Sequence, residues 1–155
     1  MSNVYQTPDA DVTQATVEHQ YMGFWLRVLA SILDNIWLGI LIFILMFVFL
    51  LVIPMDEESM QYLAANLSVQ FLLPAILIVA LWIKFASTPG KMAFKARIVD
   101  AETFEPVSSG RLVLRYIGYI VSTLPLFLGF LWVAWDKRKQ GFHDKIAGTV
   151  VIIER

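Results

Sequence analysis

The chain has 155 residues, of which 58% are hydrophobic and 16% charged, with a formal net charge of -1 and a mean hydropathy of +0.67. An apolar share this high excludes an ordinary soluble domain and marks an integral membrane protein. The absence of cysteine excludes disulfides, thiolate metal sites and thiol catalysis, and with His19 and His143 as the two histidines no metal site and no cofactor is expected.

Residues 1–20 are polar, carry Asp9, Asp11 and Glu18, and lack both the basic start and the cleavage site of a secretory signal; they read as a cytoplasmic tail. Residues 21–53 read as the first transmembrane helix. Its uncharged run 36–55 is long enough, at ~1.5 Å per residue, to cross a hydrocarbon layer of roughly 30 Å. Pro54, Asp56, Glu57 and Glu58 close it. The second helix is predicted over 62–86. Pro74 should kink it, with Ser68 and Gln70 at hand to satisfy the freed carbonyl, and Trp82 and Lys84 should anchor its end at the membrane interface.

Lys84, Lys91, Lys95, Arg97, Arg111 and Arg115 surround the connection after the second helix, whereas the connection after the first holds no lysine or arginine. The positive-inside rule therefore places the N-terminus and the loop 87–110 in the cytoplasm. Within that loop Thr88-Pro89-Gly90 signals a turn and residues 95–100 a strand. The third apolar segment, 111–135, is interrupted by Leu124-Pro125 and Gly129. It is predicted to be a broken, re-entrant helical hairpin with a cytoplasmic C-terminus, the alternative being a straight third crossing with Lys137, Arg138, Lys139 and the chain's end outside. Residues 136–155 give a short helix and a β-branched terminal strand, 149–153, whose natural ladder partner is 95–100. The predicted fold is thus an all-α membrane protein with two transmembrane helices, a broken third segment and a small cytoplasmic two-stranded β element.

Charge inside the apolar segments points to the site. Arg27, Ser31 and Asp34 recur at i, i+4 and i+7 on one helical stripe. Either Asp34 is a proton or cation site, pulled in opposite directions by burial and by Arg27, or the two charges neutralise each other and fix packing. A separation of i to i+7 spans ~10.5 Å of helix rise, long for direct contact. The working partners are therefore expected on the third segment, where Arg115 can reach Asp34 or Asp144, or on the turn bearing His143-Asp144. That neighbouring pair suggests acid/base chemistry or proton uptake, against the plainer reading that Asp144 caps a short helix or pairs with a basic residue. Asp136 and Gln140 are secondary candidates. Lys137-Arg138-Lys139 beside Trp132 and Trp135 reads as a lipid-contacting anchor rather than a nucleic-acid site.

Three blocks in order carry a resemblance. FWLRVLASILDN, TPGKMAFKARIVDAETFEPVS and LRYIGYIVSTLPLFLGFLWVAWDKRKQGFHDKIAGTVVI together resemble the RDD family of small bacterial membrane proteins, named for one arginine and two aspartates. The resemblance puts the arginine at Arg27, the first aspartate at Asp34 and the second at Asp144, with Asp136 as a rival. Lys95 departs from the pattern, since the family usually has glycine there. The resemblance implies a bacterial inner-membrane protein, with transport, including cation/proton exchange, suggested for members. On this reading the chain is a small transporter or transport accessory for a cation, a proton or a small ligand, working as a homo-oligomer in the bilayer. The rival is a non-catalytic membrane module that binds a partner protein or lipid through its cytoplasmic face. No enzyme is expected, because no nucleophile or cofactor motif accompanies His143 and Asp144.

Overall fold

The computed structural model describes residues 19–52 and 59–154; most of the polar tail and the acidic turn at 56–58 lie outside the described residues. Helix α1 (Phe24–Val52) has 29 residues, ~43 Å at helical rise. Its large apolar side chains are exposed along most of its length, the surface a lipid solvent demands, and Ala30 is its one buried residue. The first helical residue is Phe24 rather than the expected residue 21, because Gln20–Tyr21 forms a strand, β1.

The second apolar stretch runs as α2 (Met60–Leu67), a π-helical turn (Ser68–Leu72) and α3 (Leu73–Phe85). Ser59 caps α2, its hydroxyl accepting the Tyr62 N–H at 3.1 Å. The expected kink at Pro74 is instead a widened turn: the Leu73 N–H reaches back five residues to the Ser68 carbonyl, so the register loosens just before the residue that has no donor. Ser68 and Gln70 bond Ala64 O and the Asn66 side chain, one turn back. Trp82 corrects a second expectation. It is buried against Tyr116 and Tyr119 instead of anchoring an interface.

A left-handed Ala86 (φ 52°) ends α3, and a short helix α4 (Pro89–Met92) follows, its proline at a first-turn position where no N–H is needed. Lys95 then takes φ 53°, the left-handed region that glycine enters without penalty, before strand β2 (Ala96–Asp100). Helix α5 (Ser109–Thr123) buries Leu112, Arg115, Gly118 and Ser122 on one stripe. The chain bends by 113° after Thr123, through left-handed Leu126 and Phe127, into α6 (Leu128–Leu131) and a tight turn, Trp132–Ala134. The break therefore lies at Pro125 as expected. Gly129 does not interrupt the segment: it lies inside α6, where a Cβ would meet Ser122 Cα at 2.5 Å.

After α7 (Phe142–Ala147) the chain ends in β3 (Thr149–Ile153). The expected pairing of β3 with β2 is present, antiparallel from Ala96↔Ile153 to Asp100↔Thr149. The sheet is three-stranded rather than two-stranded, however, in the order β1-β3-β2, with the Met22 N–H donating to Val151 O at 2.9 Å. As the central strand, β3 is covered on both faces. Val151 packs with Met22, Ile98, Trp82 and Leu112, and Val150 and Ile152 pack with Val99, Tyr21 and Phe104. This continuous apolar cover explains why β3 has no alternation of polar residues.

Candidate functional site

The site grows from two places where α1 is tied to the rest of the fold. At the first, Arg27 spends its donors on three groups: Nη1 on Asp144 Oδ2 at 2.6 Å, Nη2 on the Lys139 carbonyl at 2.7 Å and Nε on the Met22 carbonyl at 3.0 Å. Asp144 sits in the first turn of α7, accepts the Gly141 N–H at 3.1 Å, and meets Arg115 Nη2 across its other oxygen at 2.7 Å. Arg115 and Asp144 are both fully buried. Helix α7 reaches this depth because α5 presents Gly118 to it, where a Cβ would stand 2.8 Å from His143 Cα. Ser122 completes the dock by accepting the His143 N–H at 3.1 Å while donating to the Gly118 carbonyl.

At the second place Asp34 meets the Thr88–Met92 turn. Its Oδ1 accepts the Gly90 N–H at 2.7 Å and Trp37 Nε1–H at 3.0 Å, its Oδ2 accepts the Thr88 hydroxyl at 2.5 Å, and Lys91 Nζ lies 3.8 Å away. The carboxylate thus caps the exposed donors of α4. Gly90 touches Ala30 directly: a Cβ there would fall 2.1 Å from Ala30 O.

Arg27 and Asp34 are therefore not each other's partners. The anticipated cluster exists for Arg27, Arg115, His143 and Asp144, whereas Asp34 belongs to a separate lock with Lys91 and Thr88. Of the two aspartates weighed beside Asp34, Asp144 is the one that joins Arg27 and Arg115. Asp136 instead pairs with Lys145 at 2.5 Å and accepts the Arg138 and Gln140 N–H groups, and Gln140 holds the Thr149 carbonyl at 2.8 Å. Both shape the approach to β3. Sequence reasoning saw Thr88-Pro89-Gly90 only as a turn and Lys91 only as a topology signal. A lysine directly after a turn that follows an apolar helix calls for a buried carboxylate, and Asp34 was the one within an apolar segment.

Between the two locks lies a cavity of ≈ 540 Å³, walled by α1, α3, α4, α5, the bent segment after it and His143. Ser31 lies on its wall, on the same stripe as Arg27 and Asp34. Among the described residues no group of three or more histidine and acidic side chains is placed to hold a metal ion.

Burial lowers the His143 pKa from 6.5 to about 3, with Arg115, Arg27 and Lys91 lowering it further against the opposing pull of Asp144. Burial raises the Asp144 pKa, but Arg115 and Arg27 together outweigh it and hold the carboxyl below its ordinary range. At neutral pH His143 is uncharged and Asp144 ionised. Between pH 6.5 and about 3 the unfolded chain binds a proton at His143 that the folded chain refuses, so stability falls as pH falls through this window. Thermal unfolding in detergent should show a declining Tm from about pH 7 to about pH 5, and His143→Gln should flatten that slope whatever it does to the Tm at higher pH.

A family model described as RDD family matches residues 21–148. The chain is 29% identical over 148 residues to YxaI of Bacillus subtilis, an uncharacterized protein, covering 84% of this chain and 95% of that one. It is 32% identical over 143 residues to YteJ of the same organism, an uncharacterized membrane protein, covering 88% and 84%. A proline-rich antigen homolog of Mycobacterium tuberculosis shares 33% identity over 66 residues, 43% of this chain and 28% of that protein. No solved structure matches. Two helices long and apolar enough to cross a membrane, together with a family match over most of the length, make the chain a membrane protein that belongs to the RDD family.

Proposed function

We propose that the chain is a small transport component of a bacterial plasma membrane, in which the cavity between the two locks receives a small ligand. The observation that carries this reading is a ≈ 540 Å³ cavity whose wall sets Arg27, Asp34, Lys91 and Arg115 among apolar side chains. Charged groups at membrane depth are costly and concentrate at functional positions, and interrupted helices such as α5–α6 are where transport sites are built. The lysine and arginine bias favours a cytoplasmic N-terminus and sheet, and the β2–β3 ladder supports an α5–α6 hairpin that re-enters rather than crosses. Two crossings cannot enclose a pathway alone, so homo-oligomerisation through the exposed apolar faces is part of the proposal.

A ligand fits this geometry better than an exchanged cation or proton. Both oxygens of Asp34 and both of Asp144 already accept hydrogen bonds or meet guanidinium groups, leaving neither carboxylate free to coordinate an ion. The rival reading, capture of a partner by strand addition, finds little support at β2. Its outer edge is occupied by the Ala86 carbonyl on Ile98 N–H, the Glu105 carbonyl on Asp100 N–H and the Ser87 hydroxyl on the Ala96 carbonyl.

Cysteine labelling tests the proposal, since the native chain has no cysteine. In sealed proteoliposomes, Ser31→Cys should react with a small, membrane-impermeant thiol reagent added to either face, while the lipid-facing Phe43→Cys should not. Reaction from one face alone would remove transport and leave a binding module; no reaction from either face would remove the cavity reading.

A further inference from the structure

The cavity wall carries more hydrogen-bond donors than acceptors. Arg115 is fully buried, and apart from the Nη2 contact with Asp144 its Nε and Nη1 have no partner among the described residues. The same holds for Trp82 Nε1, over whose ring the Arg115 guanidinium lies at 5.1 Å. Lys91, also buried, bonds Thr88 Oγ1 at 3.2 Å and approaches Asp34 no closer than 3.8 Å, so it too has N–H groups to spare. All three line the one cavity. Arg27 contrasts with them, since all of its nitrogens are engaged.

Buried donors left without acceptors are costly; Arg27, Lys91 and Arg115 line this cavity with Asp34, and among the described residues the one further carboxylate paired with them is Asp144, behind the wall. Three cationic side chains thus share two carboxylates. The rest of the wall is apolar, with Phe24, Ile32, Leu38, Ile78, Phe127 and Val133. We infer that the cavity binds an oxyanion, a phosphate or carboxylate, carried on an apolar chain, with Arg115, Lys91 and the Trp82 indole N–H as its donors. Either open nitrogen of Arg115, Nε or Nη1, can give such a group a charge-assisted hydrogen bond beside Lys91 and the Trp82 indole, and the apolar wall accepts the chain. This rests on the cavity reading above and names the chemistry of its ligand.

Binding is tested on the full chain in phosphatidylcholine nanodiscs, followed by intrinsic tryptophan fluorescence, with decyl phosphate, inorganic phosphate, decyltrimethylammonium and decanol as probes. Decyl phosphate should bind saturably and at least about tenfold more tightly than each of the other three. Arg115→Gln should weaken it by about tenfold or more, and Lys91→Gln, which keeps a donor for Thr88, by several-fold. Should Arg115→Gln fail to fold, Lys91→Gln decides alone. Decyltrimethylammonium or decanol binding as tightly as decyl phosphate would overturn the oxyanion assignment while keeping the cavity as a ligand site. Inorganic phosphate matching decyl phosphate would overturn the amphiphile. Decyl phosphate affinity unchanged in every folded variant would overturn the assigned donors. Failure of every probe to bind would remove the cavity reading together with the inference.

Discussion

Asp144→Asn is expected to lower stability by about 3–5 kcal/mol, the cost of leaving buried charges without their counter-charge. Asp144 stands between Arg115, fully buried with it, and Arg27, largely buried, and removing its charge leaves two guanidinium groups without the carboxylate between them. Total stabilities of roughly 5–15 kcal/mol cannot absorb that loss without a sharp fall in folded yield, which size-exclusion chromatography in detergent would report. The rival aspartate provides the control. Asp136 pairs with a partly exposed Lys145, and Asp136→Asn should cost no more than about 1 kcal/mol. Equal losses in the two variants would mean that Asp144 is not the buried counter-charge.

Gly90→Ala should be comparably damaging for a steric reason. The added Cβ would sit 2.1 Å from the Ala30 carbonyl oxygen and 2.9 Å from the Asp34 carboxyl carbon. The first is backbone of a long helix and cannot rotate away, so α4 must withdraw from α1 and the Gly90 N–H must leave Asp34. Overpacking of this kind costs about 1–3 kcal/mol or more, and the lost charge-assisted hydrogen bond adds about 1.5–3 kcal/mol. Gly110→Ala, with nothing within 4 Å of the new Cβ, should leave the Tm unchanged or raise it. A Tm for Gly90→Ala within a degree or two of the native protein would show that α4 does not dock where the structure places it.

The parts of this fold that were legible in sequence are those written in local pattern. The two long helices follow from uninterrupted apolar runs, the break from Leu124-Pro125, and the β2–β3 ladder from a β-branched terminus that needed a partner. What escaped was long-range. A two-residue strand at Gln20–Tyr21 shows no alternation, so the third strand was invisible. Trp82 and Lys84 lie two residues apart, and no spacing rule says that the first turns inward under Arg115 while the second stays exposed. The π-helical turn before Pro74 is a backbone adjustment that any residue can adopt. In the site, i to i+7 spacing was enough to doubt an Arg27–Asp34 pair and to send Arg27 towards the His143-Asp144 turn. It gave no signal for Gly90 and Thr88, because a backbone N–H and a hydroxyl carry no charge to be matched; of the Asp34 partners only Lys91 left a trace in the sequence. Lys95 shows the reverse case: where the resemblance leads one to expect glycine, the backbone takes the left-handed conformation that glycine enters without penalty.

The central claim is that Arg27, Asp34 and Asp144 form two locks, Arg27 with Asp144 and Asp34 with the Thr88–Met92 turn, on either side of one cavity. The most direct measurement is a rescue experiment on the folded yield of Asp144→Asn. Adding Arg27→Gln removes one of the two stranded cations and should restore part of the yield, whereas adding Asp34→Asn, in the other lock, should lower it further by about the loss that Asp34→Asn causes alone. Restoration by Asp34→Asn, with none by Arg27→Gln, would contradict the two-lock arrangement.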